Sequence, residues 1–376
     1  MRDRWLSPVI WAMLLVTAAG CGVFGVGRWT THPGTTSNPI SPTASTEPKP
    51  AETLKPTSTT TITPSPTATE VVFEVGEELT IDYLLQQEIQ GSAITIEREL
   101  PATFYYRRYI ASYISEGNRI YGLLTVPIMA MPEGGFKAIV FNHGYIPPDV
   151  YRTTERYTAY VDYLARNGFV VFKIDYRGHG DSEGEASGSY FSPGYTIDAI
   201  AAFKSLQRLD FVDPDGIGMW GHSMAGNLVL RAMLLEPGIK AGVIWAGAVY
   251  SYDDFAQYGI DDNTYRPPAT PEGGDAQPRR SQLLFDLYGR PGSGHPYWDA
   301  VSLTAHLDLL QHPLQLHHAQ DDPVVNIGYS QGLAAALQAL GKPYEFYIYP
   351  SGGHNLVSPY FDQAMLRTVQ FFREIL

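Results

Sequence analysis

The 376-residue sequence is poor in cysteine and in basic charge, and it contains no internal repeat. Its one cysteine, Cys21, can close no internal disulfide and build no thiolate metal cluster. Acidic side chains outnumber basic ones 39 to 26, and a formal charge of −13 argues against a nucleic-acid binder. Tyrosine is missing from residues 1–70, while all 25 tyrosines lie in residues 71–376. No Phe, Trp or Tyr occurs between Thr30 and Glu70. These gaps divide the chain into two unlike parts. Residues 71–376 carry 21 basic and 35 acidic side chains, a net of −14, so the acidic part is the globular part. At 306 residues it is long enough to bury a sizeable core.

Arg2 and Arg4 precede an uncharged stretch from Trp5 to Gly27. A positive start, an apolar run and small residues at its end are the pattern of a secretory signal, expected here over residues 1–21. Ala18-Ala19-Gly20-Cys21 resembles a bacterial lipoprotein processing site, which makes Cys21 the expected lipidation point. An uncleaved membrane helix and plain secretion are the alternatives, since about 20 apolar residues suffice to span a bilayer. All three place the body outside the cytoplasm, and the first two hold it at a membrane. Residues 22–75 are expected to be a tether. Of the 41 residues from 30 to 70, 14 are Thr, 8 Pro and 5 Ser, too few apolar groups to offset the entropy of ordering.

From Ile94 the pattern changes. Ile94–Glu97, Arg108–Ile114 and Ile120–Val126 alternate or mix apolar and polar residues, as half-buried antiparallel strands do. Short, nearly continuous apolar runs follow at Ala138–Phe141, Phe169–Ile174, Gly216–Trp220, Ala241–Trp245, Leu314–Leu316 and Tyr344–Tyr349. Helix-length segments separate them at Glu155–Arg166, Thr196–Leu209, Met224–Leu235 and Tyr329–Leu340. Strands covered by helices on both faces read as continuous apolar runs. The expectation is an α/β domain over 76–376, with a doubly wound, mostly parallel sheet and an antiparallel leading edge. The last helix should bury Phe361, Met365, Val369, Phe372 and Leu376. Residues 251–300 are rich in Pro, Gly, Asp and Tyr and read as a lid-like insertion. Its Asp253, Asp254, Asp261 and Asp262, with Arg279 and Arg280, read as a solvated polar loop.

Three strand ends carry chemistry. Gly221-His222-Ser223-Met224-Ala225-Gly226 is close to the Gly-x-Ser-x-Gly nucleophile elbow, with Ala225 where Gly is expected. Serine is a weak nucleophile and needs a base oriented by a carboxylate. His354, in a Gly-rich loop, is the expected base. Asp321 is the expected orienting acid, in a His-x-x-x-Asp-x-x-Val pattern begun at His317, and Asp322 is its rival. His317-His318 reads as strand-end structure, and no metal or other cofactor is expected. The oxyanion of an acyl-transfer intermediate needs two N–H donors. Met224 should supply one and Tyr145 the other, with His143 and Gly144 shaping the loop and Gly221 and His222 the elbow. Arg177 is expected to pair with Asp181 and brace the site.

From about residue 104 to the end, the chain resembles the α/β-hydrolase fold. It is most similar to the catalytic domain of the prolyl oligopeptidase group, the S9-type peptidases that include dipeptidyl aminopeptidase-like and acylaminoacyl peptidase-like hydrolases. The residues that carry the likeness are Ser115–Gly122, Asn142-His-Gly, Asp175-Tyr-Arg-Gly-His-Gly, Gly221–Gly226, Asp321-Asp-Pro-Val-Val and Gly353-His. The resemblance implies a serine hydrolase acting on an ester or a small amide or peptide bond. Peptidases of that group usually carry a β-propeller, and only the tether and about 30 residues stand before the domain, so an ester is the preferred substrate. A prolyl oligopeptidase-like peptidase and a non-catalytic binding lipoprotein are the alternatives.

Overall fold

The computed structural model describes residue 73, residues 75–260 and residues 279–376. The chain divides into two units, Met1–Ala68 and Thr69–Leu376. The signal segment, Cys21, most of the tether, and residues 261–278 of the insertion lie outside the described residues. No helix among the described residues is long and apolar enough to cross a membrane.

The described chain runs α1 (Ile81–Leu85), β1 (Thr95–Leu100), β2 (Tyr106–Ser115), β3 (Asn118–Pro127), β4 (Phe136–Asn142), α2 (Thr158–Arg166), β5 (Val170–Ile174) and α3 (Gly194–Leu206). It continues with β6 (Val212–His222), α4 (Met224–Leu235), β7 (Gly242–Trp245), α5 (Tyr252–Tyr258), α6 (Arg280–Tyr288) and α7 (Pro296–Val301). The last elements are β8 (Leu314–Ala319), α8 (Gly328–Ala339), β9 (Tyr344–Tyr349) and α9 (Phe361–Ile375). The strands form one sheet in the order β1-β2-β3-β5-β4-β6-β7-β8-β9. Pairs from β1 to β5 are antiparallel and every later pair is parallel, which is the mixed, mostly parallel sheet expected.

The apolar runs have a direct cause. Ala138 and Val140 of β4 enter one core, while Ile139 and Phe141 enter the other. Helices α3, α4 and α8 contribute to the first core, and α2 and α9 to the second. A strand between two dry layers has no wet face, so period-2 alternation disappears. Helix α9 has one wet face. It buries Met365, Val369 and Phe372 as expected, adds Phe371, and leaves Phe361 and Leu376 only partly buried. The leading edge differs from the expectation: β1 is exposed along nearly its whole length rather than half-buried. Its Glu97, Arg98 and Glu99 suit an outermost strand, where charge discourages further pairing.

Phe73 and Val75, assigned to the tether by composition, belong to the body. Phe73 packs edge-on against Tyr288 and Tyr297. The Tyr288 hydroxyl donates to Val75 O at 2.7 Å. The described parts of 251–300 contain no strand. They pack into the helical layer, as in Phe191 against Phe285 and Tyr258 against Tyr329, and none of them lines the cleft described below.

Candidate active site

In an open α/β sheet, sites form beyond the carboxyl ends of the strands. Here β4, β6, β8 and β9 each deliver one part there. Strand β6 ends at His222, and Ser223 turns the chain directly into α4 with φ 57° and ψ −121°. A left-handed φ is costly for a residue with a Cβ, and it is sustained only where neighbours over-determine it. Two bonds do so: Ser223 N donates to Trp245 O at 2.9 Å, and Gly226 N donates to Ser223 O at 2.9 Å. Gly221 is required by packing, because a Cβ there would stand 2.7 Å from Ala225 O and from the Val229 side chain. The methyl of Ala225 is fully buried, so the departure from the elbow pattern is absorbed by the core.

His354 lies on the loop after β9, and its Nδ1 is 2.8 Å from Oδ2 of Asp322. This corrects the expectation of Asp321. The Asp321 carboxylate instead accepts from Gly353 N at 2.8 Å and Gly352 N at 3.3 Å, holding the backbone of the histidine loop. Asp322 has a nearly fully buried side chain, and its Oδ1 accepts from Val324 N and Val325 N at 2.8 and 3.0 Å. Burial alone would raise its pKa, but hydrogen bonds from His318 and His354 outweigh this and hold it well below the usual carboxylate range.

His318 is the contributor that the sequence reading missed. It is fully buried, with Nε2 3.3 Å from Asp322 Oδ2 and 3.0 Å from Val325 O, and Nδ1 2.8 Å from Ser330 Oγ. Nε2 faces two acceptors and therefore carries a proton, so His318 braces the same carboxylate oxygen that His354 meets. The signal was present in the chain. The His-x-x-x-Asp-x-x-Val pattern fits one residue later, as His318, Asp322 and Val325. His317 is strand structure, between Tyr349 OH at 2.8 Å and Gln315 Oε1 at 2.7 Å.

The loop after β4 closes against the serine. A Cβ on Gly144 would stand 3.1 Å from Ser223 Cβ and 2.8 Å from the Tyr157 hydroxyl. Gly144 N donates to that hydroxyl at 2.9 Å. Tyr145 follows it on the rim of the cleft, and Met224 opens α4, where a first-turn N–H has no intrahelical acceptor. His143 is wholly buried, stacked on Tyr151 with ring centroids 4.6 Å apart, and burial drives its pKa well below the ordinary value. Its Nδ1 lies 2.7 Å from Gly144 O within the loop, and it does not line the cleft.

Arg177 does not pair with Asp181, a second correction. Its guanidinium lies 2.7 Å from the buried Asp198 of α3 and 3.0 Å from Glu116 of the β2–β3 turn. Asp181 is exposed, and the buried carboxylate offers the planar fork two acceptor atoms at 3.2 Å or closer. Arg177 thus ties the loop after β5 to α3, away from the cleft.

These parts surround a cleft of about 650 Å³ that holds Ser223 and His354 together. Its walls include Ile146, Tyr160, Val357 and Phe361, with Arg156 and Asp362 as its charged members. Arg279, at the start of α6, acts electrostatically on the Tyr145 phenol.

Comparison with known proteins agrees with this fold. A model of the serine aminopeptidase S33 family matches residues 136–260. A model of the BAAT / acyl-CoA thioester hydrolase C terminal matches residues 200–375. The chain is 26% identical over 269 residues to the uncharacterized peptidase YtmA of Bacillus subtilis, covering 69% of this chain and 91% of that protein. It is 27% identical over 252 residues to human dipeptidyl peptidase 8, covering 65% of this chain but only 25% of that one. Acetyl xylan esterase 1 from Thermoanaerobacterium superposes with a TM-score of 0.57 at 16% identity, covering 79% of this chain and 93% of that one. A puromycin-hydrolyzing peptidase of Mycobacterium tuberculosis superposes with a TM-score of 0.57 at 23% identity, covering 74% and 41%. The fold is that of the α/β-hydrolases, the domain is similar to S9-type peptidase domains, and the chain is a serine hydrolase that cleaves an ester or peptide bond.

Proposed function

We propose that Ser223, His354 and Asp322 form the triad of this hydrolase and that its substrate is a compact ester, ahead of an amide. One observation carries the reading. A serine held at φ 57° between strand and helix shares a cleft with a histidine whose Nδ1 lies 2.8 Å from a buried carboxylate. In this mechanism His354 takes the Ser223 proton as Oγ bonds to the acyl carbon. Backbone N–H groups of Met224 and Tyr145 hold the oxyanion, and the proton passes to the leaving group as its bond breaks. Water then attacks the acyl carbon as His354 takes its proton; the bond to Oγ breaks, His354 returns the proton to Oγ, and the acid leaves. The size of the cleft and its mixed walls, with Ile146, Tyr160, Val357 and Phe361 beside Asn355, Ser358 and Asp362, suit a small substrate with both an apolar and a polar part. Wild type should react with a fluorophosphonate probe and Ser223→Ala should not. A folded wild type that fails to react overturns the nucleophile assignment. In a panel of p-nitrophenyl esters and aminoacyl anilides, esters should be turned over faster, and the reverse ranking makes the protein a peptidase.

The proposal extends to place. Arg2, Arg4, the apolar run and Cys21 support a lipid-anchored enzyme outside the cytoplasm, with residues 22–72 as its tether. Incorporation of a labelled fatty acid that is lost in Cys21→Ala is the expected result, and equal incorporation refutes it.

A further inference from the structure

The motif residue His222 and the loop residue Tyr157 have no part in the acyl-transfer steps, yet both line the cleft beside Ser223. A chain of hydrogen bonds joins them to the two loops that the chemistry uses. Gly144 N lies 2.9 Å from the Tyr157 hydroxyl, that hydroxyl 2.8 Å from His222 Nδ1, and His222 Nε2 2.8 Å from the backbone oxygen of His354. The direction of each bond follows from donor chemistry. A carbonyl oxygen only accepts, so His222 Nε2 carries the hydrogen. Burial lowers the His222 pKa to about 3, opposed by its contact with the His354 carbonyl, so the ring is neutral and Nδ1 is an acceptor. The charged or titratable groups around it are Tyr157, His354, Asp322 and His318. The Tyr157 hydroxyl must therefore donate to Nδ1, and its lone pair takes the Gly144 N–H. Every hydrogen has one place to go.

The backbone is bent to make this chain. Arg156 and Tyr157 both sit at φ 52° without being glycine, just ahead of α2. Such strain persists where surrounding contacts over-determine it. The Tyr157 ring is fixed by Phe141 at 5.7 Å and Trp220 at 6.1 Å, and the His222 ring lies 4.5 Å from that of His354.

We infer that Tyr157 and His222 are positioning residues that lock the oxyanion loop at Gly144–Tyr145 to the loop bearing His354, across the Ser223 elbow. The Gly144 N–H is spent on Tyr157, which leaves the N–H of Tyr145 as this loop's donor to the oxyanion. The base and that donor then keep one spacing through both half-reactions. This role rests on the triad reading above.

Tyr157→Phe removes one oxygen and leaves the ring packing in place. It should lower kcat by about 10- to 100-fold, as displaced donors do, with KM changed less than about threefold. The same substitution in a His222→Leu background should cost less than about threefold more, because the chain is already cut. His222→Asn, which keeps an acceptor near Nδ1, should recover part of the loss seen in His222→Leu. Additive losses, or a change confined to KM, overturn the inference. Nitrogen NMR of labelled histidine reads the chain without catalysis. His222 should show a neutral ring with hydrogen on Nε2 down to about pH 4 in wild type, and an altered Nδ1 signal in Tyr157→Phe. An unaltered Nδ1 signal refutes the bond. A wild type with the expected His222 signal but no fluorophosphonate reaction would leave the bonds standing and bring down the triad reading, and the positioning role with it.

Discussion

Two adjacent aspartates divide the labour of one turn, and the residue scale shows how. Asp322 meets His354 through Oδ2, whereas Asp321 holds the amides of Gly352 and Gly353. Neighbouring side chains in a turn point in different directions, so only one of the two can reach the ring. Asp322→Asn should lower kcat by about 10³- to 10⁴-fold, because the amide favours the wrong histidine tautomer. Asp321→Asn should cost far less and act through the position of the histidine loop. Steady-state kinetics on one ester decide between them, and equal losses would deny the distinction. The sequence contained Ser223, His354 and the aspartate pair in legible form, because each stands at the end of an apolar run. It did not reveal which carboxylate turns inward. His318 was hidden for a related reason, since a buried brace looks like any strand residue until its partner is placed.

At the scale of elements, the apolar runs located β4 to β9, most of them buried on both faces with no polar position to blur the signal, whereas β1 to β3 show only as mixed or alternating segments and β1 is exposed. The bracing contacts were illegible, since they join elements distant in sequence. Arg177 reaches Asp198 in the middle of α3, where no local pattern marks a carboxylate. Asp198→Asn strips a buried partner from Arg177 and should destabilise the fold by about 3 kcal/mol in urea titration. A second buried pair stands at the end of β5. Lys173 Nζ and Asp175 Oδ1 share the Tyr151 hydroxyl, at 3.3 and 2.6 Å. Burial raises the Asp175 pKa to about 6 and lowers that of Lys173 to about 8. The signs follow from proton binding. Folded Asp175 binds its proton more tightly than the unfolded chain does, so its contribution falls as pH rises from about 4 to 6. Folded Lys173 binds its proton less tightly, so its contribution recovers as pH rises from about 8 to 10. The pair is least favourable between those windows. A Lys173→Met, Asp175→Asn double variant should therefore have a flatter stability–pH curve than wild type, and parallel curves would contradict the burial argument.

For the molecule as a whole, the unexpected feature is where the body starts. Composition puts residues 22–75 in one polar segment, since Thr, Pro and Ser dominate nearly to its end. Yet Phe73, Leu79 and Ile81 enter the same core as α3, α4 and α8. Val75 exchanges hydrogen bonds with Tyr288, 213 residues away, and Tyr297 OH donates to Gly76 O at 3.1 Å. A single aromatic residue at the edge of a disordered-looking composition carries no periodicity, which is why its role could not be read from the chain. Its burial depends on a pocket built by α6 and α7, from the far side of the insertion. The start of the body thus closes on α6 and α7, more than 200 residues further along the chain. Phe73→Ala should cost about 3 kcal/mol, the usual loss for emptying a buried aromatic site. In denaturant this appears as a lower midpoint with an unchanged slope, while kcat stays at the wild-type value because α6 and α7 do not line the cleft. A midpoint that does not move would return Phe73 to the tether. A loss of kcat at full stability would instead connect this closure to the Tyr145 rim, where Arg279 at the start of α6 is already felt.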